Sequence, residues 1–239
     1  MAYVNVNLAA TLPPYLHLFS GLSSQAFSLT CWVRDLSPAN VNHVSVYTTV
    51  GASGVDTRAP GLEGQFDGGS GNFLFIGDTD PGPEVSYTVP GASYSGWIFC
   101  AWTIGGTGST VYYCGTESAT PTVQTTATLV GIVSDYYIGH PFGGQDSNSK
   151  YSAIKIWNGV TLNSTQIATE RLSKTPVTGG IFTYLSGDNG TTLGVDQSGN
   201  GNNWTNVAGG TGTWATDTDQ PSVFPSNVSI PTYSSYVTV

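Results

Sequence analysis

Charged side chains are scarce in this chain of 239 residues. They make up 9% of it, against roughly 25% in typical globular proteins. Six Lys and Arg residues against fifteen Asp and Glu residues give a formal net charge of -9. The chain therefore lacks the basic surface that binds a phosphate backbone, and nucleic acid is not an expected partner.

Long apolar runs are also missing. No stretch of 18 consecutive apolar residues occurs, so no membrane-spanning helix is expected. The first 21 residues have neither a basic segment nor a continuous apolar core, which makes them unlike a secretory signal.

Cysteine is rare, with three residues in all. None lies in the C-x-x-C spacing of a zinc or redox site, and three are too few for a disulfide scaffold. We interpret Cys31, Cys100 and Cys114 as small buried hydrophobes on strands.

The most informative segment that is present is GWIFCAWTIGGTGSTVYYCG, residues 96–115. It predicts a β-hairpin with its turn near Thr107, which places Cys100 opposite Cys114. In an oxidising environment this register is compatible with a disulfide between those two residues. Both faces of the hairpin are apolar, as in an inner strand pair of a layered β-structure. One face carries Ile98, Cys100, Trp102 and Ile104, and the other carries Trp97, Phe99, Ala101 and Val111.

Short apolar runs separated by turn residues recur along the chain and predict ten strands. These are 15–19, 27–34, 43–50, 73–77, 85–89, 97–104, 110–114, 126–130, 136–138 and 152–157. One short helix is predicted, with Asn163 as its cap, Gln166 completing a capping box, and Ile167 and Leu172 near one face. The fold class is therefore all-β, a two-sheet antiparallel β-sandwich with one short helix.

The amino-acid composition changes beyond Pro176. Residues 178–212 are rich in Gly, Asn and Thr. The stretch beyond Pro176 also contains Trp204, Trp214, Tyr233 and Tyr236, which is more aromatic character than a disordered tail has. We predict a sandwich over residues 1–175 and a C-terminal extension over 176–239 that packs on the sandwich or on a neighbouring subunit.

Three segments, in order, resemble the laminin-G-like domains of the concanavalin A-like lectin superfamily. They are FSLTCWVR at 27–34, the hairpin at 96–115, and YYIGHPFGGQDSNSKYSAIKIWNGVTLNSTQIATERL at 136–172. The resemblance covers about residues 12–172 and implies a jelly-roll sandwich. The sequence TTLGVDQSGNGNNWT at 191–205 is similar to a stretch that accompanies such domains in bacteriophage structural proteins.

Glycosidases on this architecture carry an E-x-D-x-x-E run along one strand, and this chain has none. Glu63 and Asp67 lie in a glycine-rich stretch, while Glu84, Glu117 and Glu170 stand alone. Because glycoside cleavage needs two closely placed carboxyl groups, we expect a non-catalytic protein. A polysaccharide-acting enzyme with a scattered site is a third alternative.

Calcium is the one cofactor that the sequence suggests. Asp196, Ser198 and Asn200 match positions 1, 3 and 5 of an EF-hand-type loop, with Gly201 at position 6, although position 12 is Val207. Asp217-Thr-Asp219 is another oxygen-bearing turn. Asp, Asn and Gly are also ordinary turn formers, so a purely structural loop is the alternative.

A neutral surface rich in hydroxyl and amide groups suits carbohydrate, since sugars stack on aromatic rings and bond to such groups. Packing of each aromatic side chain against its own loop is the alternative. The candidate glycan-binding residues are Tyr94, Tyr136, Tyr137, Phe142, Gln145, Asp146 and Asn148.

These features together predict a virion protein of a bacteriophage, made in the host cytoplasm, released by lysis and displayed on the capsid or tail. Its expected partners are other virion proteins, its own copies in a homo-oligomer, and cell-surface glycans. The alternative is an extracellular location, as a secreted lectin or carbohydrate-binding module whose signal peptide has been removed.

Overall fold

Thirteen strands and one helix form the regular structure of the residues that the computed structural model describes. Those residues are 15–19, 26–35, 43–50, 58–66, 73–78, 85–89, 96–105, 109–128, 133–138, 149–187, 193–207 and 219–224. The strands are β1 (Tyr15–Phe19), β2 (Phe27–Asp35), β3 (His43–Val50), β4 (Arg58–Phe66), β5 (Phe73–Asp78), β6 (Val85–Val89), β7 (Ile98–Ile104), β8 (Ser109–Thr116), β9 (Thr122–Thr128), β10 (Val133–Ile138), β11 (Ser149–Asn158), β12 (Ile181–Leu185) and β13 (Thr205–Val207). The helix α1 spans Ser164–Leu172.

The strands form two antiparallel sheets. The order in the first sheet is β13-β1-β10-β3-β4-β5-β6, and the order in the second is β12-β11-β2-β7-β8-β9. The chain is thus a two-sheet antiparallel β-sandwich with one helix, which confirms the predicted fold class.

The hairpin has the predicted register. Ile104 pairs with Thr110, Trp102 with Tyr112, and Cys100 with Cys114. Every residue of β7 is buried, and β2 and β8 flank it on either side. The prediction of an inner strand with two apolar faces is confirmed.

The inner face of β2 and β7 packs toward the seven-stranded sheet. The rings of Phe27 on β2 and Tyr136 on β10 meet edge to face, with centroids 5.8 Å apart. Tyr136 in turn contacts Trp204 at 6.5 Å between ring centroids. Aromatic pairs in these geometries add stabilisation beyond their buried area, so this row of rings joins the two sheets.

The outer face of the six-stranded sheet is covered by α1 and by C-terminal residues. Its cluster of buried residues contains Trp32, Trp97, Phe99, Ala101, Tyr113, Ala153, Trp157, Leu162, Ile167 and Phe224, with Val111 packed against it. The second predicted face of the hairpin is therefore confirmed as part of a core. We call the residues that pack over this face, α1 and 219–224, the outer cover.

The helix begins as predicted. Asn163 is the N-cap, and its side chain and that of Gln166 form the reciprocal capping box. Ile167 is buried, but Leu172 is 54% exposed, so the two residues predicted to lie near one face do not share a buried face. Glu170 and Arg171 are buried in the last turn instead.

A buried ion pair joins α1 to the sheet. Lys155 on β11 donates from Nζ to Oε2 of Glu170 at 2.8 Å, and also to the backbone oxygens of Glu170 at 3.0 Å and Ser173 at 2.6 Å. The other carboxylate oxygen of Glu170 accepts from the backbone N–H groups of Val177 and Thr178. Burial lowers the pKa of Lys155, while the charge of Glu170 opposes that change. The pair fixes the end of α1 and the turn that follows it.

A β-bulge in β11 makes this pairing possible. Ala153 has φ +49°, and the register with β2 shifts between Ser152 and Lys155. Without the extra residue, Lys150 and Lys155 would face opposite sides, because their spacing of five is odd. With it, they pair with Arg34 and Thr30, whose even spacing places them on one face.

Arg171 ties the other side of the helix end to the sheet. Its Nη2 donates to the backbone oxygens of Thr116 and Glu117, each at 2.6 Å. Its guanidinium carbon lies 5.6 Å from the centroid of a Trp32 ring, and Trp32 Nε1 donates to its backbone oxygen at 3.2 Å. Arg171 is thus held at both its side chain and its backbone.

The predicted extension, 176–239, contributes strands to both sheets. β12 pairs with β11, and β13 pairs with β1. Residues 219–224 add Phe224 to the outer-face cluster, where its ring lies 6.2 Å from Trp32. The described parts of this segment therefore belong to the sandwich, and contact with a neighbouring subunit stays a prediction.

The sequence analysis did not predict three of these strands. The segment RAPGLEGQF forms β4 despite its Pro and two Gly residues, because β3 and β5 pair with it on either side. β12 and β13 lie in the Gly/Asn/Thr-rich segment and are held by pairing with β11 and β1. No helix among the described residues is long and apolar enough to cross a membrane.

The three cysteines lie in one row across adjacent strands. Cys31 pairs with Cys100, which pairs with Cys114. All three are buried free thiols, so the disulfide that the register allows is not formed. Burial raises the pKa of Cys31 and Cys100, which disfavours the thiolate through which oxidation proceeds.

Replacing Phe224 tests whether the chain's own C-terminal residues complete the outer cluster. We expect Phe224→Ala to lower the free energy of unfolding by about 3–5 kcal/mol, the usual cost of truncating a buried Phe, in urea denaturation. Leu172→Ala, at an exposed position, should change it by less than about 0.5 kcal/mol. Equal effects of the two substitutions would contradict the packing described.

Replacing Lys155 tests the buried ion pair. Lys155→Met should cost about 3–5 kcal/mol, because it leaves the Glu170 carboxylate buried without its counter-charge. The double variant Lys155→Met/Glu170→Gln should recover part of that loss, since the uncharged amide can still accept from the Val177 and Thr178 N–H groups. Denaturation of the three proteins measures both effects, and no recovery in the double variant would refute the assigned role.

Candidate functional site

The two strands that follow most of the predicted glycan-binding residues in the chain begin at the same end of the six-stranded sheet. β2 is antiparallel to both β7 and β11, so β7 and β11 run in the same direction and begin at the same end. Ile98 lies opposite Val33 and Ser149 opposite Asp35. Two strand spacings, roughly 10 Å, separate the two starts. We call this the proximal end.

Five of the predicted glycan-binding residues lie outside the described residues, and two lie on β10. Tyr94, Phe142, Gln145, Asp146 and Asn148 lie outside the described residues, in the segments 90–95 and 139–148 that precede β7 and β11. Each segment is followed in the chain by a strand that begins at the proximal end.

The two remaining candidates lie on β10. Tyr136 is completely buried, and burial raises the pKa of its hydroxyl. Its prediction as a rim aromatic is wrong, because its ring belongs to the aromatic row between the sheets. Tyr137 is the adjacent residue of β10, opposite His17 and Tyr47.

A charged cluster that the sequence analysis missed also lies at the proximal end. Arg34 on β2 pairs with Lys150 on β11. Arg34 Nη1 and Lys150 Nζ each lie 2.7 Å from the same oxygen, Oδ2 of Asp219. Asp219 is the first residue of the described 219–224 segment, so the cluster fixes one end of the outer cover. Arg34 is the last residue of the predicted strand 27–34, but Lys150 lies outside the predicted strand 152–157, so no sequence pattern related the two.

Glu117 holds the same segment at a second point. It follows β8, whose last residue Thr116 lies opposite Ile98. Its Oε1 accepts from the backbone N–H of Ser222. Glu117 and Glu170, considered above as isolated acids, are thus both engaged within the fold.

Asp196 organises a loop along the edge of β12. Its Oδ1 accepts from the backbone N–H groups of Tyr184 and Ser198, each at 2.9 Å. Its Oδ2 accepts from Ser198 Oγ at 2.7 Å and from the backbone N–H of Asn202 at 3.0 Å. The carboxylate therefore receives four hydrogen bonds while buried. Burial alone would raise the pKa of Asp196, but these donors outweigh it and the pKa is lowered.

Other side chains of the loop complete the edge. Asn200 Nδ2 donates to the backbone oxygen of Ile181 at 2.7 Å, and Asn202 Nδ2 donates to that of Phe182 at 2.7 Å. Gln197 donates from its backbone N–H to the oxygen of Tyr184. We call residues 193–204 the edge cap, because its groups occupy the positions that another strand would fill.

This geometry favours a purely structural loop over the calcium site predicted at Asp196, Ser198 and Asn200. Ser198 Oγ donates to the Asp196 carboxylate, and the Asn200 side chain turns its NH₂ group toward β12. These groups are therefore engaged within the loop and with β12, and calcium binding here stays a prediction. Across the described part of the chain, no group of three or more His, Cys, Asp or Glu residues is arranged to hold a metal ion.

Two solved structures are similar to this chain in fold. A heptameric SAP-like pentraxin from Limulus polyphemus matches with a TM-score of 0.57 at 12% identity, over 77% of this chain and 90% of the pentraxin chain. The enzymatically active domain of bacteriophage CBA120 tailspike protein 2 matches with a TM-score of 0.53 at 11% identity, over 76% of this chain and 29% of that chain. These likenesses support a jelly-roll, concanavalin A-like fold. No protein-family model and no curated protein sequence matches the chain.

Asp196 should give the protein an acid-sensitive contribution to stability. Its pKa is lower in the folded protein than in the unfolded chain, where it is about 3.9. Its contribution is therefore complete above that value and is lost as the pH falls through the folded value. We expect Asp196→Asn to cost about 1–3 kcal/mol at pH 7 and progressively less below about pH 4, in urea denaturation across pH.

Ser198→Ala is the matched control, since it removes one neutral donor and keeps the carboxylate and its pH dependence. A cost of Asp196→Asn that does not change with pH would contradict the assigned role. A rise in Tm of the unmodified protein with millimolar Ca²⁺, abolished by Asp196→Asn, would confirm the calcium prediction.

Proposed function

We propose that this chain is a non-catalytic, laminin-G-like β-sandwich of a bacteriophage virion, displayed on the capsid or tail, which contacts cell-surface glycans through its proximal end. The observation that carries the proposal is that β7 and β11, the strands that follow the segments 90–95 and 139–148 in the chain, begin at the same end of the sheet. These are the two strands that flank β2.

The described carboxylates support a role in contact. Glu170, Asp196, Asp219 and Glu117 are bound to Lys155, to backbone N–H groups or to basic side chains of the same molecule. Hydrolysis of a glycoside needs a pair of carboxyl groups that are available to the substrate. These four acids hold strands, α1 and 219–224 together instead.

The similar solved structures are compatible with the proposed location and assembly. One neighbour is part of a bacteriophage tailspike, which is compatible with a place on a virion. The other is a heptamer, which is compatible with assembly of this chain with its own copies. Other virion proteins are the further proposed partners.

A glycan array tests the contact surface. We expect the purified full chain to bind a restricted set of glycans, and the triple variant Tyr94→Ala/Phe142→Ala/Gln145→Ala to lose that binding, because stacking and amide contacts are removed. Val123→Ala, at an exposed position on β9, is the control and should bind as the unmodified chain does. Circular dichroism confirms that each variant is folded.

Absence of glycan binding, or full binding by the triple variant, would contradict the proposed contact. Release of reducing sugar from a bound glycan or from a β-glucan by the pure protein would contradict the non-catalytic role. Mass spectrometry of purified phage particles tests the location. Recovery of the chain only as free protein in the medium would favour a secreted lectin.

A further inference from the structure

We propose that Lys155 and Glu170 form an intramolecular isopeptide bond, an amide that joins Nζ of Lys155 to Cδ of Glu170. The ion pair in the structure is the unreacted state. The bond ties β11 covalently to the last turn of α1, and so fixes the outer cover to the six-stranded sheet. It lies apart from the proposed glycan contact and does not depend on it.

The two reacting groups are in contact and shielded from water. Nζ of Lys155 lies 2.8 Å from Oε2 of Glu170, and the two side chains are 1% and 0% exposed. Groups that are held together in a suitable orientation react with effective molarities of roughly 10⁵–10⁸ M. A buried ion pair also carries the cost of removing two charges from water. Because an amide is uncharged, the bond removes that cost.

The second carboxylate oxygen is held as an acyl-transfer reaction requires. Oε1 of Glu170 accepts from the backbone N–H groups of Val177 at 3.0 Å and Thr178 at 2.6 Å. Attack on a carboxyl carbon places negative charge on its oxygen, and paired backbone N–H groups stabilise such an oxyanion. The turn after α1 therefore supplies an oxyanion hole before the reaction begins.

The amine is oriented by the end of the same helix. Nζ of Lys155 donates to the backbone oxygens of Glu170 at 3.0 Å and Ser173 at 2.6 Å, as well as to Oε2 of Glu170. Transfer of the hydrogen on the Oε2 side leaves the lone pair of Nζ directed at the carboxyl group. Burial lowers the pKa of Lys155, although the charge of Glu170 opposes that change. Once Oε2 is protonated, the opposing charge is gone and the neutral amine is the nucleophile.

The reaction balances within the pair. After the proton has moved from Nζ to Oε2, the lone pair of Nζ attacks Cδ, a C–N bond forms, and an electron pair of the carbonyl moves onto Oε1. The intermediate then transfers a second hydrogen from the nitrogen to Oε2. The bond from Cδ to Oε2 breaks with its electron pair, one water molecule leaves, and the electron pair on Oε1 restores the carbonyl. No other reactant is consumed.

Tryptic digestion with mass spectrometry tests the bond in the full chain. The purified protein is kept folded at physiological temperature for several days, then denatured and digested. Trypsin cleaves after Lys and Arg, so the unlinked chain gives the peptides 151–155 and 156–171. An acylated Lys155 is not cleaved. We expect the peptide 151–171 to accumulate as one species, lighter than its sequence by the mass of one water molecule, with fragments that join Lys155 to Glu170.

The matched control is Lys155→Arg, because a guanidinium group keeps the charge and is not deprotonated to a nucleophile. This variant should keep the full mass of its sequence. If it does not fold, the unmodified chain held in concentrated urea replaces it and should give only the separate peptides. Lys150 is an internal control. Its Nζ lies 2.7 Å from Oδ2 of Asp219, but the side chain of Asp219 is 29% exposed, so cleavage after Lys150 should be unaffected.

The outcomes separate a covalent pair from a purely electrostatic one. If the folded chain yields only the peptides 151–155 and 156–171 after incubation, the two residues form an ion pair alone and the inference is wrong. A water loss that the fragments assign to other residues, or a bond that forms equally in urea, also overturns it, since neither follows from the geometry of the pair. Binding on the glycan array does not depend on this bond, so the two proposals fail separately.

Discussion

The central strand of the six-stranded sheet, β7, has no face that meets water. Strand β7 is buried at every position, and its neighbours carry apolar side chains toward both sides. Burying apolar area is the main favourable term in folding, so this sheet requires a cover on each face. The seven-stranded sheet supplies one, since Tyr136 on β10 packs against Phe27 of β2 and against Trp204. The outer cover supplies the other, and the rest of the structure follows from the need to hold it in place.

The chain uses its few cations for that purpose. It has six Lys and Arg residues, and four of them fasten the outer cover to the sheet. Lys155 binds Glu170 at the end of α1, and Arg171 binds the backbone after β8. Arg34 and Lys150 bind Asp219. A bulge at Ala153 brings both lysines of β11 to the same face. Most of the few cations in the chain therefore hold the outer cover on the six-stranded sheet.

Much of this fold could be predicted from the sequence, because the signals were local. Strand alternation and the Gly-rich turn predicted the hairpin register, and Asn163 with Gln166 predicted the start of α1. The buried ion pair could not be predicted, since it depends on the bulge at Ala153, and nothing in the residue types marks one there. The sequence could not decide between a structural edge cap and a calcium loop, because Asp, Ser and Asn serve metal ions and backbone donors equally well.

The candidate site was less predictable from the sequence, because local patterns do not decide what surrounds its residues. Tyr136 resembled a rim aromatic because a Tyr at the end of a strand faces either the core or a loop, and its alternation alone does not decide between them. The cluster of Arg34, Lys150 and Asp219 joins parts of the chain up to 185 residues apart, a distance over which sequence patterns carry no information. The sheet topology was needed to show that β7 and β11, which are distant in the sequence, run in the same direction and begin at the same end.

Native-state hydrogen exchange tests most directly whether the outer cover is an integral layer of the sandwich. The amides of α1 should then exchange with the same free energy of opening as those of β7, because neither can be exposed without the other. Exchange of α1 at a free energy several kcal/mol below that of β7 would show that the helix is a detachable appendage. The sheet would then tolerate an uncovered face, contrary to the account given.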